Sequence, residues 1–376
     1  MQPLDSELHA AAAVEPAEPR SDPAGPIVLR IENLWVAYQA GLTRVAAVRG
    51  VSLTVTAGEK VGIVGESGSG KTSIGMAIPQ LLGRSGRIVA GKVLLGGQDV
   101  AHLQEVELAK IRAQYVSVIF QDPLNALDPI RTVWSQISEA VRLRRRSGDR
   151  PSRHERRAIV RQLLQECEIR DPDRVMAQYP HEISGGMRQR VMIAIALAGE
   201  CQLLVADEPT TALDVTTQAQ ILRLLNRLVD DRRIAVILIT HNLALVSGFC
   251  DRVVVVYGGR VVEQGTARDL VRTPLHPYTG GLVRSIPKIG HAKEQLPAIP
   301  GMPPDLRSPD AGCAFEPRCA IGHGVSQCLS TMPQLEPKSG AERGRLARCH
   351  LVGAPLRHLA PGPDEELLGE VGDNAG

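Results

Sequence analysis

The chain has 376 residues, 43% of them apolar and 22% charged, an ordinary globular composition that excludes a collagen-like, wholly disordered or disulfide-scaffold protein. At about 150 residues per domain the length predicts two domains, or three. With 43 Lys and Arg against 41 Asp and Glu the formal charge is +2, too small for wholesale binding to nucleic acid or an anionic membrane surface.

Residues 1–26 are rich in Ala, Pro and Glu without apolar periodicity and read as a disordered tail. Their acidic residues and prolines also differ from the basic start and apolar run of a secretory signal. No apolar stretch approaches the roughly 20 residues needed to cross a bilayer, so the chain is expected to stay in the cytosol and to do any membrane work through partners. In chain order, Ile27–Val36, Arg44–Val55 and Lys92–Leu95 read as strands, with Ala57-Gly58 as a turn. Val61–Val64 is a short continuous apolar run of the buried-strand kind, and the signature recurs at Leu203–Ala206, Ala235–Thr240 and Val253–Tyr257. Helical patterns such as Thr217–Val229 lie between them, which predicts an α/β domain with a largely parallel sheet. The stretch from about Thr132 to Gln178 is helical and carries Arg142, Arg144, Arg145, Arg146, Arg150, Arg153, Arg156 and Arg157. A solvated helix face is the plainer reading of that run than a specific anion or membrane patch. From about Arg272 prolines become frequent, and four of the seven cysteines follow Ala311, which marks residues 272–352 as a separate appendage and 353–376 as a second flexible tail.

Gly65-Glu66-Ser67-Gly68-Ser69-Gly70-Lys71-Thr72 fits G-x-x-x-x-G-K-[ST] between the Val61–Val64 strand and a helical stretch, the context the motif requires. Glycines let successive backbone N–H groups face a polyphosphate at a helix N-terminus, Lys71 adds charge for the β- and γ-phosphates, and the Thr72 hydroxyl is placed to ligate Mg²⁺. Leu203–Ala206 runs into Asp207-Glu208. At the C-terminal end of a buried strand, Asp207 can hold Mg²⁺ and Glu208 can polarise an attacking water.

Between these elements lies Ile183-Ser184-Gly185-Gly186-Met187-Arg188-Gln189-Arg190. Together with the P-loop and Asp207-Glu208 it resembles the signature of the ATP-binding-cassette (ABC) ATPases, a resemblance that covers nearly everything from Ile27 to about Leu270. Tyr38 looks like the aromatic that stacks on adenine, and Gln121 in Phe120-Gln121-Asp122-Pro123 like the Q-loop glutamine, which contacts Mg²⁺ as well. Thr211-Ala212-Leu213-Asp214 looks like the D-loop, and His241 like the switch histidine. Ser73 and Gln189 join Ser184, Gly185, Gly186 and Asp214 as implied nucleotide contacts. Ile183 stands where the family has Leu, and Met187 where it has Gln. Phe120–Pro129, the Gly185–Arg190 run and Thr273–Thr279 are similar to the oligopeptide/dipeptide/nickel branch. The resemblance implies a P-loop NTPase of the ABC cassette fold over residues 27–271, with a mostly parallel core sheet, an antiparallel β subdomain, a helical subdomain over about 122–190, and a small Cys-containing C-terminal domain. It implies hydrolysis of ATP with Mg²⁺ in a head-to-tail dimer, in which Glu208 is the general base, His241 holds the γ-phosphate and Gln121 passes closure to the membrane. The partners so implied are a second, related cassette, two transmembrane permease subunits and an extracytoplasmic solute-binding protein. The function so implied is uptake of peptides, or of nickel or another small solute, with the chain peripheral on the cytoplasmic face of the membrane. A soluble ABC ATPase acting on DNA or ribosomes is the competing class, and the coiled-coil, zinc-hook or second-cassette insertion it calls for is not found; nucleic acid is not expected as a partner.

Cys167, Cys201 and Cys250 stand alone in apolar or helical contexts and read as buried small hydrophobes. Cys313, Cys319, Cys328 and Cys349 share the C-terminal region. Disulfides are disfavoured in a cytosolic chain, and four thiolates suit zinc or a [4Fe–4S] cluster, which ligand softness alone does not distinguish. The segment Gly312–Cys319 with Cys349-His350-Leu351 resembles the C-terminal domain of peptide-transporter ATPases, some of which hold a [4Fe–4S] cluster, and that resemblance implies such a cluster here, with zinc the alternative and His323 or His350 as substitute ligands. The gap between Cys319 and Cys328 exceeds the family's usual spacing.

Overall fold

The computed structural model describes residues 25–143, 151–211, 213–286, 298–308, 310–338 and 344–352; residues 1–24 of the expected N-terminal tail, the expected tail 353–376, and Arg144, Arg145, Arg146 and Arg150 lie outside them. Two sheets carry the fold. The smaller is antiparallel, in the order β2-β1-β4-β5, from β1 (Ile27–Ala40), β2 (Thr43–Thr56), β4 (Gly86–Leu95) and β5 (Gln98–Asp99). β1 and β4 are longer than the hydropathy pattern predicts because tertiary pairing sets their length: Val36, Ala37 and Tyr38 pair with Ile88, Arg87 and Gly86, residues with no clear alternation of their own.

The larger sheet has the order β11-β12-β10-β9-β3-β8-β7-β6 among the described residues. Its centre is parallel: β9 (Arg252–Tyr257), β3 (Lys60–Val64), β8 (Ala235–Thr240), β7 (Leu203–Asp207) and β6 (Val116–Ile119). These strands are apolar throughout because both faces are covered. Alternate residues serve opposite faces: Leu204, Ala206, Val236 and Leu238 pack into one core, and Leu203, Val205, Ile237 and Ile239 into the other. β10 (Arg260–Gly265), β12 (Leu346–Ala347) and β11 (Glu336–Pro337) extend the sheet antiparallel. The C-terminal region therefore contributes strands to the cassette's own sheet, and its Tyr278, Val283, Phe315 and Cys319 lie in the cassette's core.

α1 (Lys71–Ala77) follows the P-loop, and α2 (Glu105–Gln114) precedes β6. The helical segment comprises α3 (Pro123–Ala126), α4 (Val133–Leu143), α5 (Arg153–Glu166), α6 (Pro172–Ala177) and α7 (Gly185–Ala196). Ser152, Asp171 and Ser184 cap α5, α6 and α7 through side-chain oxygens that accept backbone N–H bonds, each such cap contributing about 1 kcal/mol. Arg157 and Arg161 pair with Asp173 on the exposed side of α5 and α6, while Arg156 of the arginine run donates to Ser138 Oγ and to the Pro151 carbonyl. α8 (Val215–Arg232), α9 (Leu243–Ser247), α10 (Ala267–Arg272), α11 (Pro277–Arg284) and α12 (Ser326–Ser330) complete the described helices. Cys167, Cys201 and Cys250 are buried, and burial pushes the Cys167 thiol up to about 12.

Candidate active site

Four adjacent parallel strands, β3, β8, β7 and β6, end on the same edge of the sheet, and the loops leaving those carboxyl ends are where an open α/β sheet binds ligands. β3 delivers the P-loop, β8 delivers His241, β7 ends in Asp207 and leads to Glu208, and β6 leads to Gln121.

The P-loop curls because two of its residues are left-handed, Gly68 at φ 78° and Gly70 at φ 103°. A Cβ on Gly70 would run into the carbonyl oxygen of Ala47, so no other residue fits at the N-cap of α1. Lys71 is buried and its Nζ donates to the Glu66 carbonyl at 2.8 Å. Burial lowers its pKa, and Glu208, Asp207 and Glu66 oppose that shift. Ser69 is buried with an unpartnered Oγ, and Ser67 is exposed. Tyr38, half-buried in β1, meets the Ser73 hydroxyl at 3.2 Å, which sets the ring beside the start of α1.

Thr72 Oγ1 donates to Asp207 Oδ1 at 3.2 Å. Burial raises the Asp207 carboxyl, the Thr72 bond opposes that, and the Glu208 charge adds to it. A hydroxyl and a carboxylate oxygen side by side suit a hard, oxygen-seeking ion, and Mg²⁺ fits this pair.

Glu208 is the focus of the remaining polar groups. One carboxylate oxygen meets His241 Nδ1 at 3.0 Å; the other accepts from Gln121 Nε2 at 3.0 Å and from Thr211 Oγ1 at 2.8 Å. Its backbone stands at φ 44°, a left-handed conformation that costs a non-glycine residue about 1–3 kcal/mol, and its N–H donates to Ile239 of β8 at 2.9 Å. Burial works to raise the Glu208 carboxyl, but hydrogen bonds from His241 and Thr211 outweigh it and hold it below the usual range. These bonds favour the ionised carboxylate of Glu208.

Ser184 Oγ caps α7 at Met187 N–H. Gly185 lies beside Leu213, and Gly186 beside Thr217. Asp214 caps α8, accepting from Thr217 N–H at 3.0 Å and Thr217 Oγ1 at 2.7 Å. The signature and D-loop residues thus form one neighbourhood. Gln189 points the other way, 1% exposed with an unpartnered Nε2.

Residues 48–211 match the ABC transporter family model, and residues 262–328 match the oligopeptide/dipeptide transporter C-terminal region. A probable peptide ABC transporter ATP-binding protein of Sinorhizobium fredii is 43% identical over 332 residues, 88% of this chain and 96% of that protein. The chain belongs to the ATP-binding subunits of the ABC transporters. The oligopeptide transport ATP-binding protein OppD of Escherichia coli is also 43% identical, over 86% of this chain and 92% of that protein. Among solved structures the cassette resembles MJ0796, determined as a dimer in a post-hydrolysis state with ADP and phosphate, at a TM-score of 0.57 and 29% identity over 64% of this chain and 99% of that one.

The metal centre expected at the cysteines finds no support in this ABC ATPase. Cys319, Cys328 and Cys349 are buried and Cys313 half-buried, and the sulfurs of Cys319 and Cys328 both flank Gly322. Among the described residues, however, no three His, Cys, Asp or Glu side chains converge as metal ligands would. Burial pushes Cys313 and Cys349 up to about 11, with the other thiols nearby adding to it. Cys319 and Cys349 sulfurs accept N–H bonds from Gly322 and Leu351. The substitute ligands are occupied elsewhere: His323 pairs with Glu316 at 3.1 Å, and His350 Nε2 meets the Thr331 carbonyl at 2.9 Å.

Sequence reasoning missed three residues at the site. Thr211 was read as part of the D-loop without its bond to Glu208. Tyr278 and Arg318 lie in segments recognised by resemblance alone, yet both bond Glu66 in the P-loop. No local pattern marks either one, because their partners stand 212 and 252 residues away in sequence.

Proposed function

We propose that this ABC ATPase powers an importer of di- or oligopeptides, hydrolysing ATP at the edge of the sheet where β3, β6, β7 and β8 end. The observation that carries the chemistry is the convergence of Gln121, Thr211 and His241 on the carboxylate of Glu208, one residue from Asp207 and beside the P-loop. Likeness to peptide-transport ATPases supports the cargo.

In this reading the backbone N–H groups from Gly65 to Thr72 cradle the phosphates, Lys71 supplies positive charge to the β- and γ-phosphates, and Tyr38 packs on the adenine. Thr72, Asp207 and Gln121 would hold Mg²⁺, which would supply positive charge against the phosphates. Glu208 takes the proton of the attacking water, and His241 holds that water and the γ-phosphate. Ser184, Gly185 and Gly186, at a helix N-terminus with the favourable dipole, serve the nucleotide of a second cassette packed head to tail. Two permease subunits and an extracytoplasmic binding protein complete the importer, with the chain docked on the cytoplasmic face. No helix of the described residues is long and apolar enough to cross a membrane. No step is assigned to the four C-terminal cysteines.

A Glu208→Gln chain assembled with its partners tests this. Phosphate release falls at least about 100-fold, the scale of a lost general base, while MgATP binding persists. A wild-type rate in that variant overturns the assignment.

A further inference from the structure

A carboxylate inside a phosphate-binding loop opposes the loop's purpose, and Glu66 is such a residue. It is fixed at three points: its N–H donates to the Tyr278 hydroxyl at 2.7 Å, its carbonyl accepts from Lys71, and its carboxylate takes a two-point bond from Arg318, with Nη1 at 2.7 Å and Nη2 at 3.0 Å. Arg318 comes from the C-terminal region, and its side chain is 4% exposed. All five of its N–H donors are used: the other three bonds go to the Pro300 and Ile299 carbonyls and the Tyr257 hydroxyl. The guanidinium also lies over the rings of Tyr257 and Phe315. Such an arginine has one orientation available, and a planar fork fixed in place is the strongest way to hold a carboxylate.

We infer that Arg318 is a positioning residue of the nucleotide site: by neutralising and fixing Glu66 it keeps a negative charge from weakening the P-loop's hold on the phosphates, and so ties ATP affinity to the folding of the C-terminal region. A second tie runs alongside. Arg49 and Arg260, from strands of the two sheets, both bond Asp310, while Ala47, whose carbonyl crowds Gly70, lies two residues from Arg49. The C-terminal region thus braces the loop from two directions. The inference rests on the reading of the P-loop as an ATP site.

MgATP binding to the full chain, measured by calorimetry in wild type, Arg318→Met, Glu66→Gln and the double variant, separates charge from fold. With Glu66 present, Arg318→Met weakens MgATP about five- to tenfold, the effect of one uncompensated charge at close range in a partly solvated site. In the Glu66→Gln background the same change alters affinity by less than about twofold, because no carboxylate remains to neutralise. Arg318→Gln, which keeps a donor and loses the charge, carries the same expectation where the methionine variant fails to fold. Equal weakening in both backgrounds makes Arg318 merely structural and overturns the inference, as does an Arg318→Met chain that binds like wild type. A wild-type chain that binds no MgATP overturns the ATP-site reading itself.

Discussion

At the level of single side chains, the P-loop and the carboxylate centre make opposite demands. Gly70 must lack a Cβ, since one would meet the Ala47 carbonyl, whereas Glu208 keeps its side chain in a backbone conformation suited to glycine. Strain tolerated at a residue whose carboxylate meets three partners is the mark of a functional position. Lys71, buried among carboxylates with its pKa lowered by desolvation, supplies the cation that phosphates would pair with. Lys71→Met is therefore expected to weaken MgATP binding by about 2–5 kcal/mol, roughly 30-fold or more, as for removal of one partner of a buried charge pair. Equilibrium binding measures this directly, and unchanged affinity would remove Lys71 from the site. Most of these residues were legible in the sequence, because phosphate chemistry requires its groups within one short turn. Asp207 and Glu208 were legible because they end a strand of recognisable hydropathy, while Gln121 and His241 were legible through resemblance to the family's motifs. The Glu66–Arg318 pair was not, since a bond spanning 252 residues leaves no local periodicity.

At the level of elements, the start of α11 carries a buried titratable cap. His276 Nδ1 accepts from Tyr278 N–H at 3.1 Å, while His276 N–H and Leu275 N–H both donate to Glu263 of β10. Burial, with the nearby Arg348 charge, pushes the imidazole down to about 3. The unfolded chain takes up this proton near pH 6.5 and the folded chain only near 3, so lowering the pH favours unfolding. Between pH 7 and pH 5 the group removes about 2 kcal/mol of stability. His276→Asn keeps an acceptor at the cap and has no proton to gain, so its urea midpoints at the two pH values differ less than those of wild type. An identical pH dependence in the two proteins would contradict the account of the cap. The limits of sequence reading also show here. β3, β7 and β8 were recognisable from their apolar runs, but the extra length of β1 and β4 and the short β11 and β12 come from tertiary pairing, which hydropathy does not encode.

For the molecule as a whole, strand order does most of the organising. Placing β8 between β3 and β7 brings His241 onto Glu208, and placing β6 next to β7 brings Gln121 to the same carboxylate. Composition distinguished the C-terminal region from the rest, through its prolines and cysteines, but not its integration: it adds strands to the sheet, fills part of the core and reaches the P-loop. The cysteines invite a metal reading by their number, yet among the described residues no three of them converge as metal ligands would. The central claim joins this ATPase to movement of peptides, and vesicles reconstituted with the complete complex test it most directly. Labelled oligopeptide supplied with the binding protein on one face and MgATP on the face bearing this chain should accumulate across the bilayer with wild-type protein and stop when Glu208 is replaced by Gln. Accumulation that continues in the Glu208→Gln complex, or none with wild type while phosphate is still released, would contradict it.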